Sequence, residues 1–255
     1  MPLDLVTIPC LSDNYAYLLH DAESGQTACV DVPDAAPILA ALHGRGWKLA
    51  DILLTHHHDD HTQGAAALRA ATGARVMGAA ADAHRLPPLD VSLAAGQAVT
   101  VCGEAVTVID VSGHTVGHIA FYFAETGVAF TGDSLMAAGC GRMFEGTAPM
   151  FHASLARLAA LPDATRVASG HEYTAANLRF ALSLEPDNPA LILRAERVAA
   201  ARAKGLPTVP SRLSEERETN PYLRASDPAL KARMGLLDAP DVAVFAAIRA
   251  AKDKF

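Results

Sequence analysis

The chain has 255 residues, enough for one large domain or for a domain with a smaller second one. Hydrophobic residues make up 51% and charged residues 19%, which excludes wholesale disorder and leaves ample material for a core. A formal net charge of -7 argues against a nucleic-acid partner, whose binding leaves a basic footprint.

No uncharged apolar run is long enough to span a bilayer, so no membrane association is expected. The opening MPLDLVTIPC lacks a basic segment and carries Asp4, unlike a secretory signal. Cys10, Cys29, Cys102 and Cys140 stand far apart with no CxxC spacing, which predicts free thiols in a reducing cytoplasm.

In chain order, short apolar runs bounded by turn residues predict strands over 3–8, 15–19, 28–32 and 51–55. A helix over 35–43 falls among them, and a second over 61–71 follows. Further strands are expected over 75–78, 99–101, 106–111, 119–123, 128–131 and 166–169, with a helix over 153–161. Strands with interspersed helices predict a layered α/β (or α+β) domain. After residue 172 no convincing strand occurs. Residues 174–185 and 188–204 read as helices, 207–224 as a polar loop, and a last helix starts near Pro240. The expected organisation is one domain of residues 1–171 and a helical domain of residues 172–255, in a single-chain, monomeric protein.

Four of the eleven histidines fall within His56-His57-His58-Asp59-Asp60-His61. This stretch joins an apolar strand to a helical pattern, and ligand sites gather at the carboxyl ends of strands in layered α/β folds. On an extended turn His56 and His58 share a face, being two apart. Asp60 and His61 sit at the helix start, displaced from that pair. His57, between the two, faces the other way. Three more strands end in a glycine followed by a potential ligand: Gly113-His114, Gly132-Asp133 and Gly170-His171. Each alone is an ordinary turn; four together suggest a metal site. The set His56, His58, Asp60, His61, His114, Asp133 and His171 is too large for one tetrahedral ion. It fits two divalent ions sharing a carboxylate, and Asp133 is the natural bridge. Asp60 and Asp133 are thus the carboxylates expected to serve catalysis, with a metal-bridged hydroxide as nucleophile. Zinc is the expected metal, with iron or manganese as alternatives. His118, four after His114, starts a strand and reads as structural, while His20, His43, His84 and His152 lack ligand-like neighbours and read as surface or packing residues.

The motif THHHDDHTQG, with the separated His114, Asp133 and His171, resembles the metallo-β-lactamase superfamily. Within it, the chain is similar to the glyoxalase II family along essentially its full length. The more specific matches are Gly139-Cys140-Gly141-Arg142 with Phe144-Glu145-Gly146, Glu216-Arg217-Glu218-Thr219-Asn220-Pro221, and Arg249 with Lys252-Asp253. The resemblance implies a four-layer αββα sandwich with a C-terminal helical, substrate-binding domain. It implies His56, His58 and His114 on one metal, Asp60, His61 and His171 on the other, and Asp133 between them. It implies hydrolysis of S-D-lactoylglutathione to glutathione and D-lactate, the second step of methylglyoxal detoxification. Arg142, Phe144, Tyr173, Arg249 and Lys252 then line the glutathione site, although Phe144 stands where many members carry Tyr. Read without the resemblance, Arg249 and Lys252 are two cations on one face of the last helix. They suit a carboxylate, but equally a solvated helix end. A glutathione persulfide dioxygenase or a lactonase of the same fold is the alternative, and a non-catalytic metal-binding protein is the rival outside enzymes.

Overall fold

The computed structural model describes residues 2–255, which divide into two compact units: residues 2–110 with 116–132, and residues 111–115 with 133–255. The first unit begins with an antiparallel ladder of β1 (Asp4–Cys10), β2 (Asn14–His20) and β3 (Gln26–Val30). Parallel strands β4 (Lys48–Leu53), β5 (Arg75–Ala79) and β6 (Val91–Leu93) continue the same sheet in simple sequence order. Parallel neighbours require crossovers, which α-helices supply between β3 and β4 and between β4 and β5. Helix α1 (Ala35–Arg45) starts at Asp34, whose side chain caps Ala36 N–H, and ends at the left-handed Gly46. It buries Ile38 and Leu42.

The predicted helix over 61–71 is two helices, α2 (Asp59–Thr62) and α3 (Ala65–Thr72). The break falls at Gly64, where a Cβ would lie 2.8 Å from Ala35 N and 2.9 Å from Val32 O, so backbone meets backbone. A second, antiparallel meander follows: β7 (Ala98–Val101), β8 (Glu104–Asp110), β9 (Ile119–Phe123) and β10 (Val128–Gly132). The sheets share an apolar interior in which Tyr17 of β2 lies 5.3 Å from Phe130 of β10, centroid to centroid.

The second unit holds the small hairpin β11 (Leu135–Met136) and β12 (Gly139–Cys140), then α4 (Ala148–Ala159), capped by Thr147, and β13 (Arg166–Ser169). Helices α5 (Thr174–Leu184) and α6 (Pro189–Arg202) fall where the sequence puts them. The stretch read as a polar loop contains β14 (Ser211–Arg212), paired with β13, and α7 (Leu213–Thr219). The short α8 (Pro228–Arg233) precedes α9 (Asp241–Lys252), which starts at Pro240. The compact units divide at Gly132 and Asp133. Phe151 of α4 packs on Phe245 of α9, tying 148–159 to the C-terminal helices.

Candidate metal centre

All seven ligands expected from the sequence belong to groups of His and Asp side chains that could hold a metal ion, and among the described residues no other residue does. His56, His58, Asp60 and His61 lie in the first unit, just beyond the carboxyl end of β4. Leu53 ends that strand, and Thr55 begins the turn. His56 and His61 are fully buried. Each is held by the ring nitrogen that faces away from its neighbours. His61 Nδ1 donates to Asp31 Oδ2 at 2.8 Å, and His56 Nδ1 donates to Thr55 Oγ1 at 3.0 Å. Thr55 in turn gives both its N–H and its hydroxyl to Asp31, at 2.9 Å each. One carboxylate thereby orients two imidazoles by engaging their Nδ1 atoms, one directly and one through Thr55. His56 Nε2 and His58 Nδ1 stand 3.2 Å apart, and Asn14 Nδ2 holds Asp60 through its carbonyl and Oδ2, both at 3.0 Å.

His57 turns to Asp82, with Nδ1 2.9 Å from Oδ2, as alternation along the turn predicts. His118 is buried beside His56, ring centroids 4.5 Å apart, and touches the glycine that ends β10. At Gly132 φ is +49°, and a Cβ would come within 2.6 Å of both His118 Nε2 and Thr55 Oγ1, so only glycine fits this strand exit. His20 stacks on Trp47 at 4.1 Å, away from the site.

The other three expected ligands lie in the second unit and converge on one carboxylate. His114 Nε2 and His171 Nε2 approach the same Asp133 Oδ2 at 3.6 and 3.3 Å. All three residues are buried. His114 Nδ1 donates to Arg142 O at 2.7 Å, which again aims Nε2 inward. A buried array of imidazoles whose inward nitrogens face carboxylate oxygens is costly to desolvate unless a cation compensates it. Nitrogen and oxygen donors in this number suit a divalent first-row metal.

Around these ligands the second unit presents the expected substrate residues. Arg142 is exposed, with its guanidinium 5.9 Å from the Phe144 ring centroid and its Nε 3.5 Å from Asp253. Phe144 is 60% exposed and meets His114 edge-on at 5.3 Å. Tyr173 stacks on His171 at 4.6 Å with rings 5° from parallel, covering that ligand. Lys252 Nζ donates to Ala176 O and lies 5.2 Å from the Phe180 and Phe255 rings. Partial burial and the neighbouring Arg249 push the Lys252 pKa below that of an ordinary lysine. Arg249 differs: only 6% exposed, it bonds Cys140 O at 3.1 Å and Asp253 Oδ1 at 2.9 Å and covers the Tyr222 ring. The buried Cys140 thiol beside it is pushed up to about 12 by desolvation, which Arg249 offsets only in part, so it stays neutral.

Sequence reading missed Asp31, Asn14 and Asp82. Asp31 carried a signal, since it follows an apolar strand as Asp133 does. Its partners His61 and Thr55 are 30 and 24 residues away, which local pattern does not reveal.

Residues 21–171 match the metallo-β-lactamase superfamily, and residues 172–255 match the hydroxyacylglutathione hydrolase C-terminus. The solved structure of ETHE1 from Myxococcus xanthus is 26% identical with a TM-score of 0.65, covering 99% of this chain and 98% of that one. A protein solved in a di-iron-bound form, TTHA1623, is 32% identical with a TM-score of 0.55, over 66% of this chain and 91% of that one. The chain is therefore a metallohydrolase of the metallo-β-lactamase superfamily, with that superfamily's layered α/β fold and a helical C-terminal segment. A curated hydroxyacylglutathione hydrolase of Cereibacter sphaeroides is 65% identical over 255 residues, all of both chains. Within the superfamily, the chain belongs to the hydroxyacylglutathione hydrolase, or glyoxalase II, family. No helix among the described residues is long and apolar enough to cross a membrane.

Proposed function

We propose that the chain hydrolyses S-2-hydroxyacylglutathione thioesters, with S-D-lactoylglutathione as the principal substrate, giving glutathione and D-lactate. Identity of 65% along the whole of both chains, spanning the ligand turns and the C-terminal cations alike, carries this reading. His56, His58 and His114 would hold one divalent ion, Asp60, His61 and His171 a second, and Asp133 would serve both. The grouping of the donors and the approach of His114 and His171 to one Asp133 oxygen support that assignment. Zinc suits the donor set, and iron or manganese would be accepted by the same atoms.

Two divalent ions, when bound, make water nucleophilic near neutral pH and polarise the thioester carbonyl. The chain's own residues bind and orient. Arg142 and Lys252 offer cations to the carboxylates of the glutathione moiety. Phe144 and Tyr173 supply aromatic walls beside His114 and His171. Arg249 lends its charge from behind, since its two terminal nitrogens already donate to Cys140 O and Asp253 Oδ1. In the reaction the water oxygen bonds to the acyl carbon, the carbon–sulfur bond breaks, and the sulfur leaves as thiolate. A thiol of pKa near 8.5 needs no protein acid to leave, so no general acid is assigned. Residues 172–255 form the substrate-binding part, residues 1–171 carry all seven ligands with His171 at their end, and the activity is that of a cytoplasmic monomer.

The test is thiol release from S-D-lactoylglutathione by the metal-analysed protein. Release that scales with two bound ions per chain is expected. No release from fully loaded protein would overturn the substrate and favour a lactone or persulfide.

A further inference from the structure

The hairpin β11–β12 is too short to hold its own shape, because each strand has two residues and isolated hairpins are marginal at best. Its backbone is instead fastened from outside, group by group, by buried side chains of the C-terminal helices. Asn220, at the end of α7, donates through Nδ2 to Met136 O at 3.1 Å and to Gly139 O at 2.9 Å. Asn177 of α5 donates to Ala137 O at 3.0 Å. Glu216 of α7 accepts the Ala138 N–H at 2.8 Å, at a residue whose φ of +54° is unfavourable for any side chain beyond glycine. Arg249 of α9 donates to Cys140 O at 3.1 Å. Four side chains on three helices thus satisfy five consecutive residues.

The fastenings are themselves locked. Glu216 and Asn220 are wholly buried, and Glu216 Oε2 also accepts from Asn220 Nδ2 at 3.1 Å. Arg194 of α6 pairs with Glu216 and donates to Thr219 Oγ1 at 2.6 Å. Burial opposes the Arg194 cation, but Glu216 and Glu215 more than compensate, and its pKa rises. The carboxylate is therefore held in place for its contact with Ala138.

The hairpin lies between two residues the site needs. Asp133 precedes it by two positions, and Arg142 follows it by two. Gly141 N–H returns to Ser134 O at 3.1 Å, which closes the segment on itself. Arg142 O, at its far end, accepts the His114 Nδ1 proton. A shift of the hairpin would move the bridging carboxylate, the orientation of one imidazole and the exposed cation together.

We propose that Asn177, Glu216, Asn220 and Arg249 are positioning residues that set metal retention and substrate affinity through this hairpin. The Glu216–Asn220 motif is then a device of the active site and more than a piece of helix packing. The inference rests on the ligand assignment made above.

The test compares Asn220→Ala and Asn177→Ala with Arg224→Ala in the full-length, metal-loaded protein. Arg224 pairs with Glu185 and Asp227 and is not one of the four side chains that fasten the hairpin, so its loss reports stability alone. Three readouts are taken: hydrogen exchange of residues 134–142, metal loss to a chelator, and KM separately from kcat. Asn220→Ala should speed exchange in that peptide, weaken metal retention about tenfold, as loss of support behind metal ligands does, and raise KM. Asn177→Ala, which loses one bond, should do the same to a smaller degree. Arg224→Ala should lower the unfolding midpoint with all three readouts unchanged. If the two asparagine replacements lose stability but match Arg224→Ala in exchange, metal retention and KM, the proposal is overturned. If Asn220→Ala does not fold, Asn177→Ala decides. A wild-type protein that retained no metal would defeat the ligand assignment instead, and hydrogen exchange would still judge the fastening.

Discussion

Replacing Asp31 by asparagine isolates the support behind His61, one of the proposed metal ligands. Asp31 sits at φ +56°, a conformation that asparagine tolerates as readily as aspartate, so the exchange adds no backbone strain. The new amide oxygen can keep the Thr55 N–H. The amide nitrogen, however, now faces His61 Nδ1, where a carboxylate oxygen accepted at 2.8 Å. Two donors cannot share that contact. His61 must take the tautomer protonated on Nε2, which removes the lone pair a metal needs. A hydrogen bond to a charged group contributes about 1.5–3 kcal/mol, or roughly 10- to 100-fold in an equilibrium. The same range holds for groups that support metal ligands. The Asp31→Asn protein should therefore give up one of its two ions at chelator concentrations about 10- to 100-fold lower than wild type. The assay is metal stoichiometry by elemental analysis across a chelator series at neutral pH. Wild-type retention of both ions in the Asp31→Asn variant would refute the reasoning, because Asp31 would then not set the state of His61.

Asp133→Ala removes the carboxylate that both His114 and His171 face, and should leave fewer than two ions per chain with thioester turnover lost. Two retained ions with full turnover would sink the bridge. Arg142→Ala takes away an exposed cation, worth about 1 kcal/mol at such a site, so KM should rise several-fold with kcat unchanged. A fall in kcat instead would place Arg142 at the reacting atoms. Lys252 is held below the usual lysine pKa, so its cation is lost at a lower pH than that of a free lysine. KM should accordingly climb with rising pH before ordinary lysines titrate, and Lys252→Arg should move that climb upward; an identical pH profile in the arginine variant would exclude Lys252 from the carboxylate contact.

Much of the site was legible because its signals are local. His56, His58, Asp60 and His61 occupy one turn, and each remaining candidate ligand follows a glycine at a strand end. Their supports were not legible. Asp31 meets His61 across 30 residues, and Asn220 meets Met136 across 84. The stretch 207–224 read as a polar loop for a related reason. Glu216 and Thr219 are polar, yet they are buried because their partners are the hairpin and Arg194. Polarity in sequence signals solvent only when no internal partner waits for it. The helix break at Gly64 was hidden similarly, since the crowding comes from Val32 and Ala35.

The supports also make the two proposed ions unequal. His56 is backed by the neutral Thr55 hydroxyl and His114 by the neutral Arg142 carbonyl. The ion assigned to these two and His58 therefore has only the shared Asp133 as a nearby ligand charge. The other ion has Asp60 as a direct ligand, Asp133 in common, and the Asp31 carboxylate behind His61. Opposite charges a few ångströms apart differ by kcal/mol even at the effective dielectric of a protein surface, and about 1.4 kcal/mol is a tenfold difference in affinity. Chelation of the wild-type protein should thus proceed in two separated phases, the His56–His58–His114 ion leaving first. Asp60→Asn removes one charge from the tighter site and should bring the phases together. Loss of both ions in a single wild-type phase would mean that these carboxylates do not set the affinities, and that the bridge binds the two ions as one unit.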